Sequence, residues 1–218
     1  MYLVNKEKVN QSLSAGIVDA RVARVFNSFK EVLVTSSFGT TSAVLLHLIS
    51  RIKPECPIYF IDTGYHFEET LNYRDRLARL LGLNLKVLRP DPAKHRMTHS
   101  KQLWSQDADR CCTINKVEPL QAIQKEYKVW MSGLIGFQNK MRSSLQIMDE
   151  KDEMLKFYPL IDWNGDLVEE YIENHSLPQH PLKEKGYDSV GCTHCTLPGM
   201  GREGRWSNLT KTECGLHR

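Results

Sequence analysis

The sequence predicts an α/β protein built on a twisted, mostly parallel sheet flanked by helices. Short β-rich runs alternate with helical segments up to Gly133, the pattern of a parallel sheet covered on both faces. The runs end in small or hydroxyl residues: Ser36-Ser37 after the first, Asp62-Thr63-Gly64 after the second and Gly133 after the fourth. From Pro178 onward glycine and proline become dense, which predicts an irregular C-terminal region held by something other than an apolar core.

Ser12 to Lys30 carries Val18, Val22, Val25, Phe26 and Phe29 at helical spacing and predicts one amphipathic opening helix. Glu31 to Thr35 reads as the first strand and Ala43 to Arg51 as the helix after it. Pro54 and Pro57 mark a turn before the second strand, Ile58 to Asp62. Phe67 to Leu81 is helical and stops at Gly82, and Leu83 to Leu88 is the third strand. Asn115 to Tyr127 is a further helix leading into the fourth strand, Val129 to Ser132. Gln146 to Met148 and Leu155 to Tyr158 read as short edge strands, and Asp166 to Asn174 as a short helix.

At 218 residues the chain can bury one sizeable core, so residues 1–208 are expected to form one domain and residues 209–218 a tail. The net charge of +3 is modest, fits a small anionic substrate as well as none, and is far from the basic stripe of a nucleic-acid binder. Lys6, Glu7 and Lys8 make the first residues a poor secretory segment. No stretch reaches the roughly 18 apolar residues of a membrane span. The expectation is a cytoplasmic protein without membrane or nucleic-acid partners. Thiols stay reduced there, so clustered cysteines point to metal binding or catalysis before disulfides.

Ser36-Ser37-Phe38-Gly39-Thr40 joins a strand to a helix start, offering backbone N–H groups, hydroxyls and a positive dipole end to an anion. Such a turn is also an ordinary helix start. Asp62-Thr63-Gly64 lies at the carboxyl edge of the second strand, where open α/β sheets bind ligands. Asp62 could cap the next helix or hydrogen-bond an adenine or ribose.

Cys111-Cys112 and Cys192-Thr193-His194-Cys195 supply four sulfur ligands, the set used by zinc or an iron–sulfur cluster. Adjacent cysteines fit zinc knuckles poorly and lean towards a cluster of several metal atoms. Two separate thiol pairs, or a redox Cys-x-x-Cys, are the bland alternatives. His194 is an alternative ligand more naturally placed outside the turn, and Cys56 reads as a packing residue. Cys214 stands apart on a polar, glycine-softened tail, Glu213 to Arg218. It makes a poor core residue and a good mobile thiol.

These segments resemble the sulfonucleotide reductases, the assimilatory adenylylsulfate and phosphoadenylylsulfate reductases of the PP-loop (adenine-nucleotide α-hydrolase-like) superfamily. The resemblance runs from about Val32 to His217, through Ser36 to Gly39, Asp62 to Tyr65, Cys111-Cys112 with Asn115 to Leu120, and Ser132-Gly133-Leu134. It continues through Pro159 to Trp163, His180 to Leu182, Gly191 to Pro198, Gly204 to Trp206 and Glu213 to His217. The cysteine tetrad combined with Glu213-Cys214-Gly215-Leu216-His217 is its specific part.

The resemblance implies a 4Fe–4S cluster on Cys111, Cys112, Cys192 and Cys195 beside a nucleotide pocket. That pocket would involve Ser36, Ser37, Phe38, Gly39, Thr40, Asp62, Thr63, Gly64 and Gly133. It implies that Cys214 attacks the sulfate sulfur of adenylylsulfate (APS), or of its 3′-phosphorylated form (PAPS), leaving an S-sulfocysteine and AMP. Thioredoxin or glutaredoxin then releases sulfite. Lys116 matches a lysine between cluster and substrate, Arg205 an arginine closing over the substrate, and Arg142 a phosphate- or sulfate-binding arginine. His217 either tunes the Cys214 thiolate or faces solvent. Relatives commonly carry Gly-Leu-Arg-Arg where this chain has Gly133-Leu134-Ile135-Gly136, so two cations are missing unless Lys140 and Arg142 replace them. APS is the favoured substrate, with PAPS or both as the alternative, and homo-oligomer formation is compatible with this reading. A PP-loop ATP-pyrophosphatase or an inactive nucleotide-binding protein are the remoter readings; the Ser-Gly-Gly-x-Asp-Ser motif of the former is absent.

Overall fold

The computed structural model describes residues 5–207, 211 and 213–216. Six strands form one sheet: β1 (Val32–Thr35), β2 (Pro57–Ile61), β3 (Asn84–Leu88), β4 (Val129–Ser132), β5 (Met148–Lys151) and β6 (Met154–Phe157). Their order is β3-β2-β1-β4-β6-β5. Every pairing is parallel except the β5–β6 hairpin at one edge. The predicted α/β sheet is therefore the observed one, with the two short late strands displaced by one to three residues and only β5 at an edge, since β6 lies between β4 and β5.

β1 and β4 are buried along nearly their whole length because helices cover both faces. Two helices pack beside β1: α2 (Val18–Ser28), through Val18, Val22 and Val25, and α3 (Ser42–Ile52), through Val44, Leu45, Leu48 and Ile49. The predicted single opening helix is two, since the chain turns around Gly16 between α1 (Lys6–Ser14) and α2. α4 (Glu68–Leu81) ends at Gly82 in the left-handed conformation (φ 61°), the expected glycine stop.

The largest departure from the sequence reading lies between Arg89 and Asn115. That stretch folds into α5 (Pro92–Ser100), α6 (Leu103–Gln106) and α7 (Ala108–Cys112). α7 runs through a π-helical turn, Thr113–Val117, into α8 (Glu118–Gln124). The helix predicted from Asn115 thus starts seven residues earlier, where Asp107 accepts from the Arg110 backbone N–H at 2.9 Å and caps it.

Past α9 (Lys140–Ser143) and α10 (Gly165–Asn174), the chain from Pro178 is irregular, as predicted, with two short 3₁₀ turns. It is tied to the body by an isolated bridge between His66 and Cys192 and by the Thr193 N–H donating to the Tyr65 carbonyl at 2.8 Å. β1 has β2 on one side and β4 on the other, so chain order reverses there. The carboxyl ends of β1 and β4 form the crevice where open α/β sheets take ligands. Among the described residues no helix is long and apolar enough to cross a membrane.

Candidate active site

A cleft opens at that crevice. Ser36, Ser37, Gly39 and Thr40 form one wall and Ser132 and Gly133 another, while Lys116, Arg142, Arg202, Arg205 and Cys214 also face it. The loop after β1 is pinned by Phe38, which takes a positive φ of 51° and is fully buried. Its ring meets Phe60 edge-on, with centroids 5.7 Å apart. Phe38 therefore anchors the loop from inside instead of lining the cleft. Ser36 Oγ accepts from the Phe38 N–H at 3.1 Å, and Thr40 Oγ1 donates to the Asp188 carbonyl at 2.7 Å.

Three further residues expected at the nucleotide lie elsewhere. Asp62 accepts from the Gly64 N–H at 3.1 Å and pairs with Arg89 at 3.4 Å, closing its own turn. Thr63 is buried with its hydroxyl 3.4 Å from Cys192 Sγ, so it belongs to the cysteine cavity. Gly64 has φ 73°, and a Cβ there would stand 2.8 Å from the His95 ring. The sequence reading missed His66, which lines the cleft and donates through Nε2 to the Ile61 carbonyl at 3.0 Å. Burial lowers its pKa to about 4, so it stands neutral. Trp206, a wall of both the cleft and the cysteine cavity, was likewise missed.

The four cysteines of the tetrad meet around one small cavity with Asn115, Lys116 and Trp206. Cys111, Cys112 and Cys192 are buried, and Cys195 is partly so. Neither bland alternative, separate thiol pairs or a lone Cys-x-x-Cys, describes this arrangement. His194 faces the same cavity, but its ring is stacked on Trp104 at 3.9 Å and 9°, which places it as packing. Cys56 lies elsewhere, buried in the main core.

The thiols perturb one another. Burial, then Cys112, Cys192 and Cys195, push Cys111 up to about 12. Burial also raises Cys192, but Lys116, Thr63 and Arg205 outweigh it and leave that thiol below its ordinary value. Four sulfur donors around one small cavity, with Lys116 and Arg205 as the neighbouring cations, call for a cationic centre if they are to ionise together. The donor set fits zinc or an iron–sulfur centre. Among the described residues, no three His, Cys, Asp or Glu side chains converge as they would on a single metal ion.

Lys116, in the π-helical turn, faces both the cysteine cavity and the cleft. Burial pulls its ammonium down, yet Cys192, Cys112 and Cys214 more than offset that and hold it above the ordinary lysine value. Arg205 donates to the Val190 carbonyl at 3.2 Å and to Ser189 Oγ at 3.3 Å, and its guanidinium lies 4.4 Å from the Trp206 ring. Its Nε has no partner among the described residues.

Neither position of the missing cations can supply one. Ile135 is fully buried, and a Cβ on Gly136 would stand 2.5 Å from the Ile161 carbonyl oxygen. Lys140 is exposed and outside the cleft wall, whereas Arg142 is in it. Arg142 does not stand open to a substrate, however: it holds Glu213.

The described part of the tail is docked. Lys211 donates to Asp109 Oδ1 at 2.6 Å and to the Ala108 carbonyl at 3.1 Å, joining the tail to α7. Cys214 is half-buried at the cleft, and Leu216 packs with Leu33, Leu120 and Trp130. His217 lies outside the described residues.

Residues 31–198 match the phosphoadenosine phosphosulfate reductase domain model. The chain is 37% identical to adenosine 5′-phosphosulfate reductase of Halalkalibacterium halodurans, over 99% of this chain and 97% of that protein. It is 44% identical to phosphoadenosine 5′-phosphosulfate reductase of Vibrio parahaemolyticus, over 86% of this chain and 76% of the relative. Among solved structures it is similar to phosphoadenylyl-sulfate reductase from Candida auris in a phosphate complex. There the TM-score is 0.77 and the identity 25%, over 88% of this chain and 95% of that one. An FMN adenylyltransferase from Candida glabrata, at TM-score 0.55 and 19% identity, shares the fold alone. With the match covering most of its length and the sheet that carries it, the chain belongs to the phosphoadenosine phosphosulfate reductase family.

Proposed function

We propose that the chain is a cytoplasmic, thioredoxin-dependent adenylylsulfate reductase of sulfate assimilation, with Cys214 as its nucleophile. The supporting observation is the division of the cysteines. Four gather around one small cavity, Cys56 sits in the core, and Cys214 alone among the described cysteines faces the cleft.

The nucleotide's phosphate seats against the loop Ser36 to Thr40, whose conformation Phe38 holds in advance. Cys214 thiolate attacks the sulfate sulfur: an S–S bond forms, the S–O bond to the phosphate breaks, and AMP leaves with that electron pair. Lys116 and Arg205 stabilise the charge that develops on the sulfonyl and phosphate oxygens. A thioredoxin thiolate then attacks Cys214 Sγ and displaces sulfite, and its second thiol resolves the mixed disulfide. Both electrons come from the thioredoxin dithiol.

Cys111, Cys112, Cys192 and Cys195 would hold a 4Fe–4S cluster. Bound there, it supplies a fixed electrostatic centre that ties the irregular C-terminal region to α7. Lys116, which lines both cavities, brings its positive charge to these thiols and to the cleft together.

The limited cation supply favours APS. Ile135 and Gly136 contribute no charge and Arg142 is engaged with the tail, so a 3′-phosphate finds fewer partners than relatives with two arginines would offer. A dual APS/PAPS activity is the second reading, supported by relatives named phosphoadenosine 5′-phosphosulfate reductase at 42% and 44% identity. Sulfite release from each nucleotide with reduced thioredoxin is the test. Release from APS with label trapped on Cys214 supports the proposal; no release from either nucleotide ends it.

A further inference from the structure

Glu213, the residue before the nucleophile, carries a set of contacts that the chemistry above leaves unused. Its Oε1 accepts from Arg142 Nε at 2.6 Å and from Asn139 Nδ2 at 2.8 Å. Its Oε2 accepts from Arg142 Nη2 at 3.1 Å and Arg202 Nη2 at 3.0 Å. Gln138 accepts from the remaining Arg142 nitrogen, completing a closed network. The carboxylate side chain is 3% exposed. Burial raises its pKa, but the Arg142 hydrogen bond and the charges of Arg142 and Arg202 outweigh that and keep it ionised.

Burying a carboxylate is costly unless bidentate, charge-assisted partners surround it. Such an arrangement is poorly explained as decoration of a solvent-facing tail. On the other side of Cys214, Leu216 sits in the apolar cluster with Leu33, Leu120 and Trp130. The nucleophile is thus held between a charged clasp and an apolar foot. We propose that Glu213 is the positioning residue of the tail: clasped by Arg142 and Arg202, it sets the Cys214 sulfur in the cleft. Arg142 is thereby reassigned from binding the substrate anion to docking the tail. Lys116 and Arg205 are left to face the reacting sulfonyl group.

This rests on the reading of Cys214 as nucleophile, so the experiment separates the two. In full-length protein, E213Q keeps the size of the side chain and removes its charge. Single-turnover transfer of radiolabelled sulfonate from APS to Cys214 should fall about 10- to 100-fold, the loss of charge-assisted hydrogen bonds that orient a reactant. Alkylation of Cys214 by iodoacetamide at fixed pH should rise several-fold, roughly in proportion to the undocked fraction. The dissociation constant for AMP should change less than about 2-fold, because binding without the tail is untouched. E213D should recover part of the transfer rate, and N139A should move both readouts the same way by less.

Wild-type transfer and alkylation rates in E213Q would overturn the proposal. So would an AMP affinity raised about tenfold or more, since Glu213 would then be occupying the anion's own site. If the wild-type chain accepts no label at all, the nucleophile reading fails. The alkylation comparison still decides whether the clasp docks the tail.

Discussion

Replacing Gly191 with alanine tests whether Arg205 works in the place where the fold puts it. An alanine Cβ at this position would stand 2.2 Å from Arg205 Nη2 and 2.6 Å from Cζ. Position 191 needs no left-handed backbone, so alanine is conformationally acceptable and the strain falls on the guanidinium. The end of a long side chain can swing away at the expense of its contacts, so global stability should drop by about 1–3 kcal/mol. Swinging away abandons the Val190 carbonyl, the Ser189 hydroxyl and the face of Trp206. A charge-assisted hydrogen bond is worth about 1.5–3 kcal/mol. At about 1.4 kcal/mol per tenfold, kcat/KM should fall roughly 10- to 100-fold. The assay is sulfite release from APS with saturating reduced thioredoxin, measured for G191A, R205A and the double variant. If the effect runs through Arg205, the double variant is no worse than R205A alone. Normal kcat/KM in G191A, or fully additive losses, would refute this account of Arg205.

Replacing Cys214 with serine should leave the melting temperature within a few degrees, since the residue is half-buried, and abolish label transfer to the protein. Replacing Lys116 with methionine keeps the length but removes the charge between cleft and cysteine cavity, and should lower kcat about 100-fold with KM changed less. For C192S, bound iron and absorbance near 400 nm should fall together with APS-dependent sulfite release; iron lost with activity intact would refute the organising role. His180 is fully buried, donates through Nε2 to Thr70 and accepts the Leu182 N–H on Nδ1, and burial lowers its pKa to about 4. The neutral form is thus the folded form, so stability is complete above the ordinary histidine value and declines as pH falls towards 4. Denaturant unfolding should show a loss of up to about 3 kcal/mol across that window, and pH-independent stability would exclude it.

The strands around the cleft were legible because parallel strands announce themselves as apolar runs ending in small or hydroxyl residues. Ser36, Asp62 and Ser132 mark the carboxyl edge where the sheet delivers them. The α5–α7 stretch was not legible from apolar spacing, because it buries little: Thr98, Leu103 and a pair of cysteines. Its capping residues were the available signal, since Asp91 before Pro92 and Asp107 before Ala108 are both helix starts. The gathering of the cysteines was readable from their number and spacing. What each cleft residue does was less so. Phe38, Asp62 and Thr63 share motifs with cleft-lining neighbours, yet point into the core, into a turn and into the cysteine cavity. The clasp on Glu213 joins residues 71 positions apart, and no local pattern announces such a contact.

The buried ring of Phe38 has a thermodynamic meaning for turnover. A loop whose middle residue is sealed in the core has lost its conformational freedom during folding, before any nucleotide arrives. Immobilising a backbone residue costs on the order of 1–2 kcal/mol, and any ligand that binds a pre-ordered loop is spared that cost. The tail takes its order from separate side-chain anchors instead: Lys211 on α7, Glu213 on Arg142 and Arg202, and Leu216 on the apolar cluster.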